Sequence, residues 1–190
     1  MLDLLPPLAL LIAVAFAINW LAFLPAFAMK TEHFYDLTGG ITYLTVTGLG
    51  LWLAEPRGPR EWVLAGMVFV WAARLSSFLF LRIRKEGKDG RFDQIKQSAP
   101  RFLFAWTVQA LWVSLTALTV FIVLTSRSSP ALTALDFFGW GVWAFGFGLE
   151  VVSDRQKSAW RARPENKGAW IEDGVWAWSR HPNYAGEIIL

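Results

Sequence analysis

L-L-P-P-L-A-L-L-I-A-V-A-F-A-I-N-W-L-A-F-L-P-A-F, residues 4–27, runs without one charged side chain. As a helix it would rise about 36 Å, enough to cross the roughly 30 Å hydrocarbon core of a bilayer. Lipid cannot satisfy backbone N–H and C=O groups, so a spanning run of this kind has to be helical. Its polar and breaking features, Asn19 and Pro25, lie towards one end. Asp3 stands where a secretory leader would carry cations, so the run reads as a retained helix and not a cleaved signal.

The rest of the chain extends that reading. Of 190 residues, 55% are hydrophobic and 17% charged, and the mean hydropathy is +0.38. A water-soluble domain is not this apolar. The expectation is an all-α, polytopic integral membrane bundle, a single transmembrane domain over 1–190 with the lipid bilayer as its first partner. Further apolar runs fall at 41–53, 62–81, 102–124 and 135–152, and another helix begins at Tyr184. That makes five full spans plus the start of a sixth. The run 41–53 is short, so it must borrow residues 38–40 or tilt little. Its Thr42, Tyr43, Thr45 and Thr47 are polar for lipid-facing positions and are expected to face other helices or a cavity. The sequence stops at G-E-I-I-L as the last apolar segment begins, so a chain truncated at its C-terminus is expected.

The cations give the orientation. With loops assigned alternately, one side holds Lys30, seven cations in 82–101 and six in 153–181, against Arg57, Arg60 and Arg127 on the other. Cytoplasmic loops carry the excess of Lys and Arg. Loops 82–101 and 153–181 are therefore expected in the cytoplasm and the N-terminus outside. The basic residues read as topology signals, and no nucleic-acid partner is expected. The absence of cysteine excludes disulfides, thiolate chemistry and cysteine-ligated metals. With His33 and His181 as the only histidines, no metal site is expected. No G-x-G-x-x-G fingerprint, G-x-x-x-x-G-K-[ST] loop or H-E-x-x-H helix occurs.

Several polar residues inside or beside the apolar runs could carry chemistry. Arg74 lies within the third run, where a buried arginine costs on the order of 3 kcal/mol and needs a partner or a wet cavity. Gln109, Trp112, Thr116 and Thr119 share a face of the fourth, a pattern that interhelical hydrogen bonds explain. K-D-G-R (88–91) fits a phosphate-contacting turn or a solvated loop. Glu150, Asp154 and Lys157 are spaced i, i+4, i+7, and Arg161 extends the stripe if the helix continues. Such a stripe can hold ribose hydroxyls with its acids and phosphates with its bases, or simply pair its charges on a solvated helix end. S-R-H-P-N-Y-A-G-E (179–187) places Pro182 where a helix would start. Unpaired N–H groups at that start, with Arg180 and His181, would attract an anion, while a Trp/Arg/Tyr belt capping a membrane helix accounts for the same residues.

Taken together, E-V-V-S-D-R-Q-K (150–157), G-V-W-A-W-S-R-H-P-N-Y-A-G-E (174–187), R-L-S-S-F-L-F-L-R-I-R (74–84) and D-G-R-F (89–92) resemble a bacterial membrane family, DUF1295, itself similar to steroid 5-alpha-reductases. The wider group includes sterol reductases, which share a Q-K-x-x-x-R then R-H-x-N-Y-x-G-[DE] pattern. The resemblance covers the chain from about Arg74 onward. It implies an inner-membrane enzyme that uses NADPH to reduce a carbon–carbon double bond in a lipid or steroid-like enone, a hydrophobic small molecule. It also implies a cytoplasm-facing cofactor pocket lined by Asp154, Lys157, Arg161, Arg180, His181, Asn183, Tyr184 and Glu187. The acid pair of the steroid reductases has no positional match here; Tyr35, Tyr43 and Glu32 are candidate proton donors by residue type alone.

Two other functions compete. Isoprenylcysteine and phospholipid methyltransferases carry a related R-H-P-x-Y-x-G segment and bind S-adenosylmethionine; Asn183 and the upstream D-R-Q-K speak against them. A non-catalytic lipid-binding membrane protein of the same fold would bind no cofactor.

Overall fold

Apolar composition makes helices of these runs, but hydrogen bonding, not hydropathy, decides where they end. The computed structural model describes residues 5–55 and 57–190. Every regular element among them is helical: α1 (Leu5–Ala28), α2 (Tyr35–Leu53), α3 (Pro59–Glu86), α4 (Ala99–Thr116), α5 (Leu118–Thr125), α6 (Ala134–Arg161) and α7 (Pro182–Ile189), with single 3-10 turns in the loops. The all-α expectation holds. The helices group into two units, Met1–Pro130 with α1–α5 and Ala131–Leu190 with α6 and α7.

α1, α3 and α6 are each long and apolar enough to cross a membrane. α4 and α5, bent by 57° at their break, make a fourth if the pair is one broken span. The described residues thus offer three or four spans by length and composition, against five expected. The difference is α2, whose glycines and threonines dilute its hydropathy. It starts at Tyr35 and has 19 residues, so it takes up the last part of what reads as the loop 28–40. The break at Ala117 has no proline or glycine to mark it. Ser114 Oγ donates to the Ala110 carbonyl and Thr116 Oγ1 to the Trp112 carbonyl, both at 2.8 Å, and such back-bonds bend helices. α3 and α6 overrun their apolar segments, ending at Glu86 and Arg161.

In the first unit, polar groups join the helices at several levels. Fully buried Asn19 donates from Nδ2 to the Ala15 carbonyl (2.9 Å) and to Thr42 Oγ1 (3.2 Å), linking α1 to α2. The Tyr43 hydroxyl meets Thr116 Oγ1 at 2.6 Å. Thr42, Tyr43 and Thr47 are buried as expected, whereas Thr45 is exposed, because it falls off the face defined by residues 42, 43, 46, 47 and 50. Gly40 lies so close to the Ser76 side chain that no larger residue fits. Leu11, Val46, Val113 and Phe121 fill the centre. Phe92 of the basic loop packs with Phe102 and Trp106 near one end.

Two carboxylates fix the ends. Glu32 Oε2 accepts from Lys96 Nζ at 2.6 Å and Glu32 Oε1 from the Asp89 N–H at 3.0 Å, while His33 Nε2 lies 2.8 Å from the Gly87 carbonyl. The loops after α1 and after α3 therefore share one end. Glu61 Oε2 accepts from the Gly58 N–H at 2.7 Å and from Ser129 Oγ at 3.0 Å, and Arg60 donates to the Pro130 carbonyl at 3.1 Å. The loops after α2 and α5 share the other. α1, α2, α3 and the α4–α5 pair consequently alternate in direction.

In the second unit α6 rises about 42 Å, and α7 doubles back along it. Gly146 and Gly186 set that contact. A Cβ on Gly186 would lie 2.6 Å from the Gly146 carbonyl oxygen and 2.7 Å from the Glu150 nitrogen, and neither backbone atom can step aside. Gly186→Ala is expected to destabilise the second unit by about 1–3 kcal/mol. Gly66→Ala, inside α3 with nothing near its added methyl, is expected to be neutral to slightly stabilising, by up to about 1 kcal/mol. Thermal unfolding of both variants in the same lipid checks this.

Candidate functional site

The stripe on α6 forms because the helix does not stop at the apolar boundary. It continues through Asp154 and Lys157 to its last residue, Arg161. Burial grades along it: Glu150, Ser153 and Asp154 are buried, Lys157 is half-buried and Arg161 is exposed. The loop beyond clasps the stripe. Trp176, in the 3-10 turn Gly174–Ala177, donates from Nε1 to the Ser153 carbonyl at 3.0 Å. Gln156 Oε1 accepts from the Val175 N–H at 3.1 Å, and Lys157 Nζ sits 4.4 Å from the centre of the Trp176 ring. That cation–π contact orients the ammonium.

α7 begins at Pro182, the first helical position, as its fixed φ and missing N–H favour. The exposed His181 ring stacks on Tyr184, with centroids 5.1 Å apart, and the His181 N–H donates to Ser179 Oγ. Asn183 is half-buried; its Oδ1 is buried and has no hydrogen-bond partner among the described residues. The glycine crossing brings α7 against Glu150. The D-R-Q-K stripe and the R-H-P-N-Y-A-G-E segment, separated in sequence, therefore meet as neighbours in one helical hairpin.

The eight residues expected around a cofactor divide into three groups. Asp154, Lys157 and Arg161 share α6. Asn183, Tyr184 and Glu187 share α7, with His181 as its N-cap. Arg180 is exposed in the connecting loop. Arg161 also lines a cavity of about 380 Å³ together with Arg163, Asn166 and Lys167, none of which stood out in the sequence. A second, of about 220 Å³, lies beside Gln156, Trp160 and Asp173. Gln156 and Trp176 fall inside the motif segments, but their roles depend on contacts across the loop that the sequence does not show.

The three candidate proton donors lie in the first unit, and each has a partner that accounts for its placement. The Tyr35 hydroxyl donates to the Ala105 carbonyl at 2.8 Å, and Tyr43 bonds Thr116. Eight residues separate the two tyrosines on α2, about 12 Å along the axis. Glu32, only 3% exposed, serves the end clasp. Arg74 is half-buried with its guanidinium 5.2 Å from the Phe78 ring. The turn K-D-G-R is committed internally: Lys88 pairs with Asp93 at 2.7 Å and Arg91 with Asp89.

The model of a family described as protein of unknown function, DUF1295, matches residues 22–190, so the match begins well before Arg74. Neither curated proteins nor solved structures give a match to the chain.

Burial alone would raise the Glu32 carboxyl, but the Lys96 ammonium and the Asp89 N–H outweigh it and hold the group below its usual 4.5. The hydrogen bond to Glu32 raises Lys96 above its usual 10.5. A depressed acid stabilises the fold above its unfolded pKa and loses that contribution as pH falls through the folded one; a raised lysine loses its contribution as pH climbs through its folded pKa. The clasp is therefore expected to hold between these limits and to fail in acid and in strong base. Lys96→Met, which strands the Glu32 charge, is expected to cost about 3 kcal/mol, and adding Glu32→Gln is expected to recover much of it. Unfolding measured for the single and double variants across pH tests both statements.

Proposed function

The chain belongs to the DUF1295 family, and from that premise we propose that it is a membrane-embedded, NADPH-dependent reductase of a carbon–carbon double bond in a lipid or steroid-like enone. The observation that carries this reading is the α6–α7 hairpin, where the glycine crossing sets the two motif segments side by side. The donor set fits a phosphorylated dinucleotide. Asp154 is a buried acceptor for ribose hydroxyls, while Lys157, Arg161 and Arg180 suit phosphate oxygens. Asn183 brings an amide whose carbonyl oxygen is unsatisfied, and an unpaired buried acceptor of this kind calls for a donor. Tyr184 and His181 present a stacked aromatic face, and Glu187 a further acceptor. When bound, NADPH supplies the reducing equivalent. The chain's own part is to hold that cofactor at the end of α6 and to keep Lys157 oriented through Trp176.

We further propose five crossings, with α2 as a short span. The two end clasps support it, since loops sharing an end require an even number of crossings between them. On that reading loops 82–101 and 153–181 are cytoplasmic in a bacterial inner membrane and the N-terminus is outside, following the cation excess. The natural absence of cysteine makes labelling clean. Ser128→Cys is expected to react with an impermeant maleimide on intact cells, and Gln94→Cys only after permeabilisation; the reverse pattern would invert the topology.

Calorimetric titration of NADPH and of S-adenosylmethionine into the chain in lipid nanodiscs tests the chemistry. NADPH is expected to bind, with Lys157→Ala and Asn183→Ala each weakening it about tenfold or more. Binding of S-adenosylmethionine alone would favour the methyltransferase, and binding of neither the non-catalytic lipid-binding protein.

A further inference from the structure

A cavity of the second unit adjoins the α6 stripe and shares Arg161 with it. It is lined by Trp160, Arg161, Arg163, Asn166 and Lys167, and its volume is about 380 Å³. Its wall is ordered rather than a loose basic loop. The Asn166 side chain donates to the Trp160 carbonyl at 2.8 Å. The backbone N–H groups of Asn166, Lys167 and Ala169 each close a tight turn onto the carbonyls of Arg163, Pro164 and Asn166. Three cations face this space, and no described carboxylate forms an ion pair with any of them. A concave site with unneutralised guanidinium groups is built for a phosphate, which arginine can engage through two parallel hydrogen bonds.

Its position says where that phosphate comes from. The cavity begins at the last two residues of α6, a helix long and apolar enough to span. At 28 residues α6 exceeds the hydrocarbon core by about 12 Å, which carries its end into the headgroup layer. The same loop carries Trp170 and Trp178, 88% and 84% exposed. Rings so fully presented are suited to the bilayer interface, where tryptophan concentrates. The volume sits near the low end of ligand cavities, about 300 Å³ and upward, which suits a headgroup better than a whole dinucleotide.

We propose that the cavity formed by residues 160–169 binds the phosphate of an anionic phospholipid headgroup and seats this loop on the membrane surface. The inference does not rest on the reductase reading: Arg163 and Lys167 are outside the proposed cofactor set, and the test below uses no cofactor.

The chain is placed in phosphatidylcholine nanodiscs with and without added phosphatidylglycerol, and retained lipid is counted by native mass spectrometry across a phosphatidylglycerol titration. Wild type is expected to retain phosphatidylglycerol selectively. Arg163→Gln with Lys167→Gln is expected to weaken retention about tenfold or more. Arg163→Lys with Lys167→Arg is expected to keep it, which separates loss of charge from loss of fold. Lys85→Gln with Arg101→Gln, exposed cations of the first unit, is expected to leave it unchanged. The proposal is overturned if wild type shows no preference for phosphatidylglycerol, if both Gln pairs lower retention equally, or if the Arg163/Lys167 pair has no effect. It is equally overturned if inorganic phosphate displaces the lipid and stabilises the chain as well in phosphatidylcholine alone, because the ligand is then soluble.

Discussion

Lipid gives apolar helices no hydrophobic reason to prefer one another over the surrounding chains, so packing falls to close backbone approach and to the few polar groups that can pair. This protein depends on both. Gly40 admits Ser76 between α2 and α3, and Gly186 admits Gly146 between α7 and α6. At these points the absent Cβ lets the helices come close enough for dispersion contacts to accumulate. Asn19 and Thr42 add a buried hydrogen bond between α1 and α2. Glu32 and Glu61, both almost fully buried, gather donors from loops distant in sequence and fix which helix ends lie together.

The second unit applies the same rule to a different end. The glycine crossing brings α7 back along α6, and the loop between them is held by Trp176 and Gln156. Chemical groups are sorted by depth as a result. The acids Glu150 and Asp154 lie buried beside the crossing, and the bases Arg161 and Arg180 lie exposed beyond it. A ligand with hydroxyls near one end and phosphates near the other matches that gradient. Arg161, Arg163 and Lys167 line a cavity at the outer edge of the same gradient.

Charged side chains proved the hardest to interpret from sequence, because charge alone does not say whether a residue is solvated. Lys88 and Arg91, which fit either a phosphate-contacting turn or a solvated loop, pair with Asp93 and Asp89. Glu32, a candidate proton donor by residue type, lies buried and paired with Lys96. Glu61 stands three residues after Gly58 at the head of α3, a spacing that foretells a carboxylate reaching back to a helix start. Its second partner, Ser129, had no local signal.

The polar stripe reaches Arg161 only because α6 continues past its apolar run, but hydropathy and residue pattern were enough for the all-α class, the existence of long apolar helices and the helical start at Pro182. These follow from short-range physics: an apolar run in lipid must close its own hydrogen bonds, and proline at a first turn loses nothing. Helix ends beyond the apolar boundary, the bend after Thr116 and the short α2 escaped that reading, since hydropathy marks where lipid stops and not where a hydrogen-bond ladder stops. The pairing of Glu32 with Lys96, the meeting of α7 with Glu150 and the cavity around Arg163 were decided only by tertiary structure. Each joins residues whose separation in sequence says nothing of their distance, and the close approach that joins α7 to α6 exists only once both helices have formed and a missing Cβ lets them touch.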